Sequence, residues 1–145
     1  GSNAVNLSNI AGAQLQVISN LNIGSLNGGG AVGGNVVLSS GATMTVGGNN
    51  SNSVYLGTIS GAGTLAKSGT GMLALTGTNT YSGGSTLSEG TLGVYNNGAL
   101  GTGTVTASGN LSITGTPPFV GGLSIACSGN STNSATATIT VLYGV

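Results

Sequence analysis

Short apolar clusters separated by Gly, Ser, Thr and Asn run the length of the chain, and none continues at helical spacing beyond one turn. They recur at Leu15-Gln16-Val17-Ile18, Val36-Val37-Leu38, Val54-Tyr55-Leu56, Leu73-Ala74-Leu75, Leu92-Gly93-Val94 and Leu111-Ser112-Ile113. Taking Val17, Val36, Val54, Leu73, Leu92 and Leu111 as anchors, the steps are 19, 18, 19, 19 and 19 residues. A second cluster follows within each period, at Thr43-Val46, Thr64-Ala66, Ser85-Leu87, Thr104-Thr106 and Leu123-Ile125. In most of them apolar residues alternate with Ser, Thr or Gly, the period of a strand with one buried face. A constant period of this length is that of a fold in which each turn lays its strands on those of the turn before. The pattern therefore predicts an all-β, parallel β-solenoid (β-helix) of about seven coils, a rod of about 35 Å at roughly 4.8 Å per coil.

Glycine pairs at Gly33-Gly34, Gly47-Gly48, Gly83-Gly84 and Gly121-Gly122 are read as corners, where a positive φ is cheap for Gly alone. Asn49-Asn50 and Asn96-Asn97 are expected at similar corners, or as side-chain ladders between coils. Two stretches depart from the rhythm. Residues 1–14 are read as a partial first coil, and Thr116-Pro117-Pro118-Phe119 as a corner or excursion, because proline cannot donate to a central ladder. Residues 133–145 alternate Thr with Ala, Ile and Val and form the best isolated strand of what is otherwise one domain spanning 1–145.

The stretch 59–94 resembles a known family, the passenger-associated β-strand repeat of bacterial autotransporters. The matching residues are Ser60, Gly61, Gly63, Leu65, Lys67, Gly69, Gly71, Leu73, Leu75, Gly77, Asn79, Thr80, Tyr81, Gly83, Gly84, Thr86, Gly90, Thr91 and Leu92. The resemblance implies a parallel β-solenoid on or outside a bacterial cell surface, and it implies no chemistry.

Charge narrows the function classes. Lys67 is the single basic residue, Glu89 the single acidic one, and His is absent. A nucleic-acid groove needs several cations, a calcium site several carboxylates and a zinc site a His or Cys set, so no nucleic-acid partner, metal or cofactor is expected. Acid–base catalysis would fall on one Lys and one Glu, so no catalytic residues and no enzyme are expected. Cys127 is alone and is expected as a small buried hydrophobe, with an intermolecular disulfide as the alternative. No run of 18 apolar residues is present, so membrane insertion is not expected, nor is a secretory signal visible. The expected location is extracellular or the bacterial cell surface, as a mature secreted form.

Side chains that remain are weighed against packing. Lys67 is expected to be solvated, with pairing to Glu89 across coils as the alternative. Tyr55, Tyr81, Tyr95, Tyr143 and Phe119 are expected to pack rather than to form a carbohydrate-stacking surface. Thr43/Thr45, Thr104/Thr106 and Thr136/Thr138/Thr140 have the spacing of an ice-binding array but do not recur at one fixed place in every period. The sequons at Asn6, Asn49, Asn110 and Asn130 are as frequent as this composition produces by chance.

A solenoid ends in open sheet edges, and neither end carries a charged cap here. Head-to-tail stacking would satisfy both edges, with Thr136, Thr138, Ile139, Val141, Leu142 and Tyr143 as the candidate self-association strand, unless that strand completes its own last coil. The leading expectation is a non-enzymatic extracellular structural protein, a self-assembling subunit of a filament, fibre or surface layer whose partner is itself. The alternative is a fragment of an autotransporter-type surface adhesin, a stalk or binding module facing host cells, neighbouring cells or glycans. An ice-binding solenoid is the minor alternative.

Overall fold

A computed structural model describes residues 1–96, 98–108, 110–115, 125–126 and 139–143. The side chains of 110–115, 125–126 and 139–143 are left aside. All regular structure among the described residues is β. The first coil contains β1 (Ala4–Leu7), β2 (Gln14–Val17) and β3 (Leu21–Ile23). The second contains β4 (Ser25–Gly28), β5 (Asn35–Leu38) and β6 (Thr43–Val46), and the third β7 (Ser53–Tyr55), β8 (Ile59–Gly61) and β9 (Thr64–Lys67). The fourth and fifth coils carry two strands each, β10 (Met72–Leu75) with β11 (Ser85–Leu87), then β12 (Thr91–Val94) with β13 (Val105–Ala107). β14 (Asn110–Gly115), β15 (Ile125–Ala126) and β16 (Ile139–Tyr143) follow.

Strands of successive coils pair in parallel, giving three stacked sheets: β1-β4-β7-β10-β12-β14-β16, β3-β6-β9-β11-β13-β15 and the shorter β2-β5-β8, which stops at the third coil. This is the expected parallel β-solenoid, with about five turns rather than seven. The difference lies in coil length. Leu73 faces Leu92 and Leu92 faces Leu111, which is the 19-residue step the sequence shows. Earlier coils are longer: Val36 faces Ile59, and Gly28 faces Tyr55. The early anchors therefore ran across sheets. Val17 and Val36 belong to the three-stranded sheet, whereas Leu73 and Leu92 belong to the seven-stranded one.

Val54 is a second departure. Leu73 faces Ser53, and Val54 points outward with 43% of its surface exposed. The reason is Tyr55, which is wholly buried and takes the inward position opposite Gly28. Room for the end of the ring comes from Gly57, where a Cβ would lie 2.5 Å from the Tyr55 hydroxyl. That hydroxyl donates to the Gly34 carbonyl at 2.8 Å, so the ring brings its own polar partner into the core.

The core is a set of inward columns, each one residue per coil. Leu21, Met44, Leu65, Ser85 and Val105 form one; Leu15, Val36 and Ile59 form another. Of the predicted corners, Gly34, Gly47 and Gly84 have positive φ, and Asn50 does too, at 58°.

Asparagine does more than turn corners. The side-chain carbonyls of Asn9, Asn20, Asn27, Asn35, Asn50 and Asn52 each accept a backbone N–H from the next coil, for example from Thr43 to Asn20 at 3.0 Å. They supply rungs where the chain is bending and backbone pairing is interrupted. Asn79 goes further. It is buried, accepts from the Ile59 N–H at 2.7 Å and donates to the Ala99 carbonyl at 2.6 Å, so one amide ties the third, fourth and fifth coils where the three-stranded sheet has ended. Tyr81 fills the adjacent core space, its hydroxyl bonded to Ser85.

Asn79→Ala is expected to lower the unfolding free energy by about 2–4 kcal/mol, because it strands a buried N–H and a buried carbonyl together. Asn20→Ala, whose bond is exposed, is expected to cost only about 0.5–1 kcal/mol. Urea unfolding of the two variants measures the contrast.

Candidate functional site

Parallel stacking turns each sheet's outer side into a flat face on which one residue per coil lines up, and three such faces differ in chemistry. On the sheet that runs from β3 to β15, Asn22, Thr45, Ala66, Thr86 and Thr106 form one outward column, and Thr43 faces Thr64 beside it. The threonines thus do align, interrupted at Ala66, because coil lengths that vary along the chain bring them into register. The three-stranded sheet presents Gln14, Gln16, Asn35, Val37 and Ser60. On and beside the seven-stranded sheet, Val54, Leu56 and Tyr95 are exposed by 43%, 51% and 46%, while the most exposed large apolar side chains, Ile18, Val32 and Ile10, lie in the turns flanking the three-stranded sheet. Tyr95 leans across the strand: a Cβ on Gly93 would lie 2.9 Å from its Cε2.

The aromatic residues separate accordingly. Tyr55 and Tyr81 pack in the core, as expected, while Tyr95 is at the surface. Phe119 lies outside the described residues, as do Cys127, Pro117, Pro118, Thr136 and Thr138. Of the candidate self-association strand, Ile139, Val141, Leu142 and Tyr143 lie in β16, which runs parallel to β14 within the same molecule: Leu111 faces Ile139 and Ile113 faces Val141.

Lys67 corrects an expectation. It is not solvated; it is 1% exposed and sits in an inward column between Val46 and Leu87. Its Nζ donates to the Ser68 carbonyl and, at 2.8 Å, to the Gly69 carbonyl. Room for the ammonium comes from glycines on the neighbouring coils: a Cβ at Gly47 or Gly90 would lie 3.1 or 3.0 Å from Nζ. The alternation that buries Leu65 also buries Lys67, since they are two apart on β9, and the long stem then reaches carbonyls at the corner. Burial lowers the Lys67 pKa, and the nearby Glu89 charge partly opposes this. Among the described residues no group of three or more His, Cys, Asp or Glu is placed to hold a metal ion. Among the described residues no helix is long and apolar enough to cross a membrane.

Comparison with known proteins falls on the coils where Asn79, Tyr81 and Lys67 do their work. The passenger-associated-transport-repeat family matches residues 65–94. The chain carries an autotransporter passenger repeat. The match runs from β9 to the end of β12, so the repeat spans more than one full coil and includes the Asn79 tie. A relative, the adhesin BmaC autotransporter of Brucella suis biovar 1 (strain 1330), is 45% identical over 95 residues, 63% of this chain. The chain spans 3% of the length of that relative. No solved structure matches.

The titrations of Lys67 and the two core tyrosines oppose one another. A lysine whose folded pKa lies below its unfolded value leaves the unfolded chain with more protons in between, so stability rises with pH through that window, up to the ordinary lysine range near 10. Tyr81 is pushed up to about 12 and Tyr55 is also raised, both by burial. There the folded state holds the extra protons, and stability falls as pH climbs above about 10. Stability from these groups is expected to pass through a maximum near pH ~10. Lys67→Met is expected to flatten the rising limb and leave the falling one, as read by urea unfolding across the pH range.

Proposed function

We propose that this chain is a stretch of the passenger of a bacterial autotransporter adhesin, at the cell surface or outside the cell, and that it acts there as a non-enzymatic stalk. The observation that carries the reading is the coincidence of the passenger repeat with a coil-to-coil tie. Residues 65–94 match the family, and the motif residues Lys67, Asn79 and Tyr81 are all buried and used in joining or filling coils. A repeat whose lysine, buried asparagine and tyrosine are turned inward serves length and rigidity. The adhesin relative supports the same setting. The filament-subunit expectation has no comparable support, and the adhesin alternative takes its place.

In this reading the solenoid adds about 4.8 Å of reach per coil, and adhesive contacts belong to other parts of a longer passenger. The outward surface is almost free of charge: Lys67 is buried, and Glu89 is the single carboxylate side chain. Such a surface offers little electrostatic steering toward any partner.

The test is attachment. Beads coated with the purified chain, added to cultured host cells, are expected to attach no more than beads coated with an inert protein. Saturable attachment, blocked by free chain, would show the chain to be a binding module and overturn the stalk reading.

A further inference from the structure

The sheet that runs from β3 to β15 sets its threonines out in a rectangle. Over the first five coils its inward column, Leu21, Met44, Leu65, Ser85 and Val105, separates two outward columns. Thr43, Thr64 and Thr104 stand in the column before it, and Thr45, Thr86 and Thr106 in the column after it. Asn20 and Asn22 occupy the two columns on the first coil, and Gly84 and Ala66 are the gaps. All six threonines are exposed or half-exposed. The Thr64 hydroxyl donates to the Gly83 carbonyl at 3.0 Å, and among the described residues those of the other five make no bond of this kind.

Spacing decides what such a face can hold. Coils repeat at about 4.8 Å, and two residues along a strand cover about 6.7 Å. Water in ice is a tetrahedral network of hydrogen bonds about 2.75 Å long, so its second neighbours stand roughly 4.5 Å apart and its layers repeat at roughly 7.3 Å. The two rectangles agree to within about a tenth. Each threonine offers a hydroxyl that can join the network and a methyl that can fill a hollow in it. The array is held still from beneath, where Met44, Val46, Leu65, Leu87 and Val105 are buried. A charged group would keep a hydration shell of its own, and this face has none: Lys67 is inside, and Glu89 lies beyond the end of β11.

We propose that this threonine face binds ice, its ligand being the ordered water of a crystal surface. The sequence hid the array, because coils of unequal length place its threonines at unequal intervals along the chain; the stacking register brings them into line. These positions carry no charge and no aromatic side chain, so a protein partner finds no anchor among them. What they carry is a repeat in two directions, and a solid lattice meets that repeat at every coil. The face runs along the side of the stack, so it leaves the coil-to-coil joints, and with them the stalk reading, as they are.

Slow freezing of a solution of the chain onto a cold finger tests this, read as the share of protein taken into the ice. The shape of ice crystals grown in the supercooled solution is a second readout. The wild-type chain is expected to enter the ice in excess of an inert protein of similar size and to give faceted crystals. Thr86→Lys, which raises a hydrated charge in the array, is expected to lower uptake to that of the inert protein. Ala66→Thr, which fills a gap, is expected to raise uptake roughly twofold, as one more contact on a rigid array. Val54→Lys, outward on another sheet, is expected to leave it unchanged. Circular dichroism establishes that each variant is folded. Wild-type uptake no greater than that of the inert protein, with rounded crystals, would overturn the proposal. So would uptake that survives Thr86→Lys. Retention on crystalline cellulose or chitin without uptake into ice would assign the face to a solid polysaccharide instead. Self-association lost in Thr86→Lys, again without uptake, would assign it to a second copy, and either outcome overturns the proposal. The stalk reading stands or falls separately, on bead attachment.

Discussion

Stacking of one coil on the next is the interaction on which the molecule depends. Each coil contributes few residues to a sheet, between two and six per strand, and a coil in isolation buries almost nothing. Laid on its neighbour, it gains backbone rungs and extends inward columns at the same time. Stability in such a fold is local in sequence and cumulative along the axis, each coil depending on the pair beside it. The inward residues of the second coil, Leu26, Val36 and Met44, are fully buried between its neighbours and display that dependence directly.

The stack must survive its corners, where backbone pairing is interrupted, and the chain answers with asparagine. A side-chain amide has the donor and acceptor of a peptide group on a short stem, so it can complete a rung where the main chain has turned away. Most of these asparagines reach one coil forward. Asn79 reaches both ways, at the level where the three-stranded sheet gives out and the cross-section changes from three strands to two. The passenger repeat lies over that change. Three of its polar positions are thus explained as structural joints: an amide between coils, a tyrosine hydroxyl on Ser85, and a lysine whose ammonium rests on corner carbonyls.

The outer surface carries a complementary lesson. With its one lysine drawn inside, the described part presents Thr, Asn, Gln and Ser together with exposed apolar side chains, Ile10, Ile18 and Val32 in the early turns and Val54, Leu56 and Tyr95 further along. Neutral, evenly spaced faces suit a spacer.

The order of apolar and polar residues by itself determined that the chain is all-β, that its strands repeat, and that the sheets are parallel. Alternation of period two and a recurring coil length admit little else. The predicted second strands at Thr43, Thr64, Ser85 and Thr104 all fell in one sheet, because each is a clean alternation bounded by glycine. Tertiary structure decided three things that no local pattern carries. Coil length varies from 19 residues upward, so the register had to be set by packing, and the early anchors crossed from one sheet to another. Tyr55 rather than Val54 went inside, its hydroxyl bonded to the Gly34 carbonyl one coil away. Lys67 went inside because the alternation of β9 and the absence of side chains at Gly47 and Gly90 outweigh the preference of a lone ammonium for water. Each is settled by contacts between residues about twenty or more apart, which a reading along the chain does not see.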